Sequence, residues 1–266
     1  MPWTAEFQLD ASSHPKRVQL HAASPADADS AIAALLKTAR QKNLFKCLKG
    51  WRNEEYRILG ARDDIRIERA AAGLFGIMTI GVHMTVYTRS SAGQLRLWIP
   101  QRSQSTTTNP GMLDNSVAGG VPAMVDPFEC LVKEAADEAS LPEVLTRRCA
   151  KAAGCVTEFN IKDGGKGLLQ PSVKYVYDME VDEQTELRPA DGEVEAFRLM
   201  TVEEAKVELL KGKFKPMSAM VMIDFFIRHG VLTMHNERDY AQLAARTHRY
   251  LPFPTTVGQI VGRGLA

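Results

Sequence analysis

Gly119-Gly120-Val121-Pro122-Ala123-Met124-Val125-Asp126-Pro127-Phe128-Glu129-Cys130-Leu131-Val132-Lys133-Glu134-Ala135-Ala136-Asp137-Glu138-Ala139-Ser140-Leu141 is the stretch whose reading decides the rest of the chain. Residues from about Pro127 to Ser140 have the spacing of a helix, and Val117-Ala118-Gly119-Gly120 breaks the chain before it. Glu134, Asp137 and Glu138 stand at i, i+3 and i+4, so their side chains share one helical face. Phe128, Leu131, Val132, Ala135 and Ala139 fall on the opposite face and can pack on a sheet. Carboxylates crowded on one face repel one another unless a cation sits among them. Oxygen donors at this density suit a hard divalent ion, Mg2+ or Mn2+. Such an ion neutralises phosphate charge and acidifies a bound water. The glycines upstream let backbone carbonyls approach the same ion, and Lys133 stands where it can orient Glu134. The plainer alternative for the same residues is a solvated acidic helix face.

Outward from this helix, the chain reads as alternating strands and helices. Arg17 to His21 alternates like a strand, and Ser24 before Pro25 signals a helix start, with Ile32, Leu35 and Leu36 at helical spacing. An aromatic and charged stretch, Leu48 to Tyr56, leads to a hairpin around Arg62-Asp63-Asp64, and Glu68 to Ala72 forms a short helix. Ile77 to Thr88 has the β-branched, apolar content of a central strand, joined by the turn Ser90 to Gly93 to a partner over Leu95 to Ile99. Gln101 to Asn115 is polar and reads as a long loop, of the kind that carries function. Strands follow near Cys155 to Ile161, Pro171 to Met179 and Glu193 to Met200, with Asp163-Gly164-Gly165-Lys166-Gly167 as a hairpin turn. Thr201 and Glu204 form a capping box, and Met217 to His229 is a mostly apolar helix ended by Gly230. The order predicts a mixed α/β domain and excludes a doubly wound parallel sheet.

Net charge is +1, which gives no bulk argument for nucleic acid or an acidic membrane surface. No apolar run approaches the ~20 residues of a membrane helix, and the N-terminus lacks the pattern of a secretory signal. Cys47, Cys130, Cys149 and Cys155 have no CxxC spacing and read as free thiols, placing the chain in the cytoplasm.

The helix stretch resembles the Nudix box, G-x5-E-x7-R-E-U-x-E-E-x-G-U, with Gly120 as its leading glycine in a loop one residue short, and Lys133 to Leu141 as its second half. Lysine stands for the motif's arginine, Asp137 for a glutamate and Ser140 for a glycine. The flanks Leu48-Lys49-Gly50-Trp51-Arg52, Gly81-Val82-His83-Met84, Pro110 to Asn115 and Asp224 to Gly230 are similar to fungal and plant Nudix proteins related to the Nudix half found beside thiamine pyrophosphokinase. The resemblance runs from about residue 15 to residue 255. It implies an α/β/α sandwich with a mixed sheet, preceded by a small α/β N-terminal lobe: residues 1–70 for the lobe, 71–255 for the Nudix domain and 256–266 for a tail.

The implied chemistry is divalent-metal hydrolysis of a small organic diphosphate, thiamine diphosphate-like or a specialised metabolite, with no nucleic-acid or membrane partner. Carried over, Gly120, Glu134, Asp137 and Glu138 are metal ligands, Glu134 is also a candidate base, and Glu193 is a further catalytic acid, with Glu195 second choice. Arg102, Asn115 and Lys174 are candidates to grip phosphate oxygens. Met124 and Met217 depart from the pattern of relatives and are assigned to the substrate side. They motivate two alternatives: a Nudix-fold enzyme acting on an apolar, for instance prenyl, diphosphate or catalysing a non-hydrolytic step, and a non-catalytic binding module. Trp51 and Tyr56 read as packing before ring-stacking, His83 as a packed, hydrogen-bonded histidine, and His229 as a positive partner for a helix C-terminus.

Overall fold

Residues 1–162 and 167–255 are described in the computed structural model. The anticipated turn over Asp163 to Gly167 falls largely outside the described residues, as does the 256–266 tail.

The N-terminal lobe begins with a hairpin of β1 (Phe7–Asp10) and β2 (Arg17–Leu20). Helix α1 (Pro25–Gln41) follows because Ser24 caps it, its hydroxyl accepting from the Asp27 N–H at 3.2 Å. A 3₁₀ turn over Lys46–Gly50, the short antiparallel pair β3 (Glu55–Arg57) and β4 (Arg66–Glu68), and a 3₁₀ helix over Arg69–Leu74 complete the lobe. Ile32, Leu36, Leu48, Tyr56, Ile67 and Ala71 form its core.

The main sheet is built on β5 (Thr79–Arg89), with β6 (Leu95–Arg102), β7 (Val117–Gly120), β8 (Ala150–Lys162), β9 (Leu168–Glu180) and β10 (Val194–Thr201). The strand path is β10-β6-β5-β9-β8, with β7 paired to the first half of β5. Only β5–β9 is parallel, so the sheet is mixed. The alternation of β5 feeds two cores. Val82, Met84 and Val86 pack with Cys130, Leu131, Ala135 and Ala139 of α2 (Pro127–Ala139). On the other face, Tyr87 joins Leu97, Ile99 and the Phe225–Phe226 pair of α5 (Pro216–Arg228). The layers are therefore helix, sheet, helix. Helix α3 (Glu143–Cys149) lies beside α2, α4 (Val202–Leu210) begins at the predicted Thr201–Glu204 capping box, and α6 (Tyr240–Thr247) packs on α5. Among the described residues no helix is long and apolar enough to cross a membrane.

Two expectations change. Val117 to Gly120 is a strand, not a chain break, because β5 offers it a register from Gly81↔Gly120 to Met84↔Val117. The end of the anticipated loop is not loose: Leu113 bridges to Gln101 and Phe214, and Asp114, Asn115 and Ser116 are buried. His83 is packed and bonded as expected, and His229 stands at the C-cap of α5 as expected, its backbone N–H donating to the Phe225 carbonyl at 2.9 Å, while its ring bonds the Asp178 carboxylate at 2.8 Å and stacks on Phe225.

Candidate active site

Three glycines on neighbouring strand positions create the site. Gly81 of β5 pairs with Gly120 of β7 on one side and with Lys174 of β9 on the other. In each case the space a Cβ would fill is taken by a chemically active side chain. At Gly81 that position is 2.9 Å from Lys174 Nζ and from the Gly119 carbonyl oxygen. At Gly119 it is 2.5 Å from Cγ and 2.7 Å from Oε1 of Glu134. At Gly120 it meets the Tyr56 hydroxyl and comes 3.4 Å from Arg69 Cζ. Successive strand residues face opposite sides, so Gly119 looks towards α2 while Gly120 looks towards the N-terminal lobe. The glycine against Glu134 is thus Gly119, while the carbonyl of Gly120, the expected metal ligand, accepts the Cys130 thiol at 3.4 Å.

Helix α2 presents the acids because Asp126 caps it, accepting from the N–H groups of Phe128 and Glu129, and its apolar face is fixed on the sheet. Glu138 is buried, with Oε2 accepting the Ala118 N–H at 2.8 Å. Burial pushes its carboxyl well above the usual range against that hydrogen bond, and Asp114, Glu134 and Asp191 add to the rise. Glu134 is half-buried. Burial raises it to about 7, with Asp137, Glu193 and Glu54 reinforcing the rise and Lys133 opposing it.

Asp137 differs. It pairs with Lys133 at 2.7 Å on the exposed rim of the helix, in the favourable i, i+4 relation. Lys133 therefore serves Asp137 rather than orienting Glu134. Among the described residues no trio of acidic, histidine or cysteine side chains is closed enough to hold a metal alone. Glu134 and Glu138 nonetheless fit a divalent cation. Both are oxygen donors, their like charges repel each other, and neither has an ion-pair partner among the described residues. Glu193 is exposed just before β10, tied through its backbone to Ser103 and Asp191, and its charge acts on Glu134. Glu195 is exposed on β10.

A cleft of about 510 Å³ opens beside the glycines. Arg52, Tyr56 and Arg69 line it from the N-terminal lobe, Ala118 to Gly120 from β7, and Lys174, Lys215 and Met217 from the opposite wall. Glu158, Asn160, Gln170 and Ser172 supply a polar flank. Of the residues expected to touch substrate, Lys174 and Met217 line this cleft, while Arg102, Asn115 and Met124 do not. Arg102 is committed to Asp114 at 2.9 Å. Asp114 also accepts from Lys215 at 3.0 Å and from Ser218, and these partners outweigh burial to hold its carboxyl down to about 2. Asn115 Oδ1 is 2.7 Å from His83 Nδ1, and burial keeps His83 neutral, lowered to about 3. Met124 turns to solvent, 61% exposed at φ +67, because its loop is tied to β3 by the bond from Ala123 N–H to Glu55 O at 2.8 Å.

Sequence spacing gave no notice of Glu54, Arg69 and Lys215 in the site. Arg69 and Glu54 reach it only through packing of the lobe, and the nearest local signal was the glycine-rich character of β5 and β7.

The sequence matches the family described as "NUDIX domain" over residues 80–220, and the one described as "Domain of unknown function (DUF4743)" over residues 2–79. An uncharacterized protein of Saccharomyces cerevisiae is 37% identical over 265 residues, covering 94% of this chain and 75% of that protein. Nudix hydrolase 20, chloroplastic, of Arabidopsis thaliana is 37% identical over 212 residues, 78% of this chain and 54% of the plant protein. The chain thus spans about half the length of that plant relative. Among solved structures, a MutT protein from Methanosarcina mazei has a TM-score of 0.42 and 17% identity, covering 60% of this chain and 96% of its own. The chain belongs to the Nudix hydrolase family.

Proposed function

We propose that this protein is a divalent-metal-dependent pyrophosphohydrolase that cleaves the phosphoanhydride bond of a small organic diphosphate. One observation carries the reading. Two carboxylates unpaired among the described residues, Glu134 and Glu138, lie on the Ala118-Gly119 backbone, and that backbone lines a cleft shared with Lys174. Glu134 and Glu138 would hold Mg2+ or Mn2+ with the glycine backbone, Asp137 contributing from the rim; bound there, the ion supplies charge neutralisation and acidifies water. Glu134, whose carboxyl burial raises to about 7, is the group placed to take a proton from the attacking water. Lys174, over Gly81, offers a fixed positive charge to the phosphates. Glu193 is kept as a secondary acid, acting through its charge on Glu134.

We favour a thiamine diphosphate-like substrate, in keeping with the resemblance to the Nudix half beside thiamine pyrophosphokinase. The Glu158 carboxylate with Asn160 and Gln170 on the cleft flank suits a cationic, nitrogen-bearing ring. A second reading, an apolar diphosphate, is favoured by Ile77, Leu168, Leu169 and Met217 in the same cleft. We divide the chain into the small lobe and the Nudix domain with the boundary moved from residue 70 to the end of the 3₁₀ helix Arg69–Leu74, since Ala71 packs in the lobe core. We place the activity in the cytoplasm, which the thiols of Cys130, Cys149 and Cys155 support. The test is phosphate release with Mg2+ from thiamine, nucleoside and prenyl diphosphates. Turnover of at least one, lost with chelator and in Glu138→Gln, is expected. Silence across the panel, or an undiminished Glu138→Gln, would remove the assignment.

A further inference from the structure

Arg69 opens the 3₁₀ helix of the N-terminal lobe, yet its guanidinium lies against the main sheet, 3.4 Å from the space a Cβ of Gly120 would fill. The side chain is held on two sides. Nη1 donates to Glu54 Oε2 at 2.8 Å, and Cζ sits over the Tyr56 ring, 5.5 Å from its centroid. The backbone N–H of Arg69 also donates to the Glu54 carbonyl at 2.8 Å, fixing the pair at both ends. Among the described residues only Nη1 of the guanidinium is engaged, so Nε and Nη2 remain for the cleft that Arg69 lines.

The placement mirrors that of Lys174. Gly81 and Gly120 face each other across β5 and β7; Lys174 stands over the first and Arg69 over the second. Strands in such a pair lie ~4.8 Å apart, so two cations from different parts of the chain flank one short strand segment in the same cleft. A planar, charged fork is the group suited to bidentate contact with phosphate oxygens.

We propose that Arg69, braced by Glu54 and Tyr56, is a substrate-binding residue that grips the diphosphate opposite Lys174, so that the N-terminal lobe completes the active site; this rests on the diphosphate reading above. Glu54 is then a positioning residue. The alternative is that Glu54, Tyr56 and Arg69 only pack the lobe against the sheet.

The test uses the full chain, Mn2+ alone, and Mn2+ with imidodiphosphate, a diphosphate that resists hydrolysis. Arg69→Met should leave affinity for Mn2+ alone unchanged and weaken imidodiphosphate about 10- to 100-fold, the span for losing hydrogen bonds to a charged group. Arg69→Lys should recover part of the loss, and KM should rise in step with the binding change. Because Arg69→Met strands the Glu54 carboxylate, the double variant Glu54→Gln, Arg69→Met is measured beside it and should show the same loss. Unchanged imidodiphosphate binding in these variants would overturn the role of Arg69 and leave the diphosphate reading standing. A wild-type protein that neither binds imidodiphosphate nor turns over any diphosphate would overturn both.

Discussion

Glu134→Gln should stabilise the metal-free protein at alkaline pH while removing its turnover. The carboxyl is half-buried against Gly119, and burial with Asp137, Glu193 and Glu54 nearby raises it from 4.5 to about 7. A group with a raised folded-state pKa adds stability that is fully present below pH 4.5 and is lost as pH rises through about 7. That span corresponds to about 3 kcal/mol at most, reduced to ~2 kcal/mol by solvent screening of a partly exposed group. Glutamine does not titrate. In urea melts with chelator present, the stability of the variant minus that of wild type should grow from near zero at pH 4.5 to about 2 kcal/mol at pH 8. Saturating Mg2+ should erase or reverse the gap, because only the wild type gains from binding. A gap that stays constant with pH, or a wild type more stable than the variant at pH 8 without metal, would refute the reasoning.

Gly119→Ala places a Cβ 2.5 Å from Glu134 Cγ, and the obstacle is a flexible side chain rather than backbone. The fold should persist with an unchanged thermal midpoint while kcat falls about 100-fold, as displaced catalytic groups do; an unchanged kcat would contradict the site. Asp114→Ala leaves the half-buried Arg102 and Lys215 side by side without their shared, buried carboxylate. Guanidinium melts should show a loss of about 3–5 kcal/mol, and a negligible loss would mean that the cluster is not structural. Lys174→Met should raise KM for any diphosphate turned over and leave Mn2+ affinity unchanged, since Lys174 stands over Gly81 and not over the acids; steady-state kinetics beside a Mn2+ titration check both halves.

The helix that carries the acids was readable because its apolar spacing, the Asp126-Pro127 start and the buried face agree. The Ser24 and Thr201 caps and the long strand from Thr79 were readable for the same reason: local chemistry and global packing coincide there. Helices α3 and α6 escaped notice, and neither has a side-chain cap to announce it. Val117 to Gly120 reads as a break because two glycines weaken any strand signal, and only pairing with β5 makes it one. Within the site, i, i+3, i+4 spacing put Glu134, Asp137 and Glu138 on one face. It could not show that Lys133 neutralises Asp137 while Glu138 is buried against β7 and Glu134 is half-buried at Gly119. Met124 lies at a departure in the motif loop yet turns outward, and Arg102 is spent on Asp114. Conversely Glu54, Tyr56 and Arg69 arrive from the lobe through tertiary packing, a link that no local pattern encodes.

Binding of Mn2+ at pH 8, followed by electron paramagnetic resonance on wild type, Glu134→Gln and Glu138→Gln, tests the central claim most directly. The wild type should sequester the ion in proportion to protein, and each single replacement should release it while the far-UV spectrum stays unaltered. Equal retention by all three proteins, or none by the wild type, would contradict a metal held by these two carboxylates.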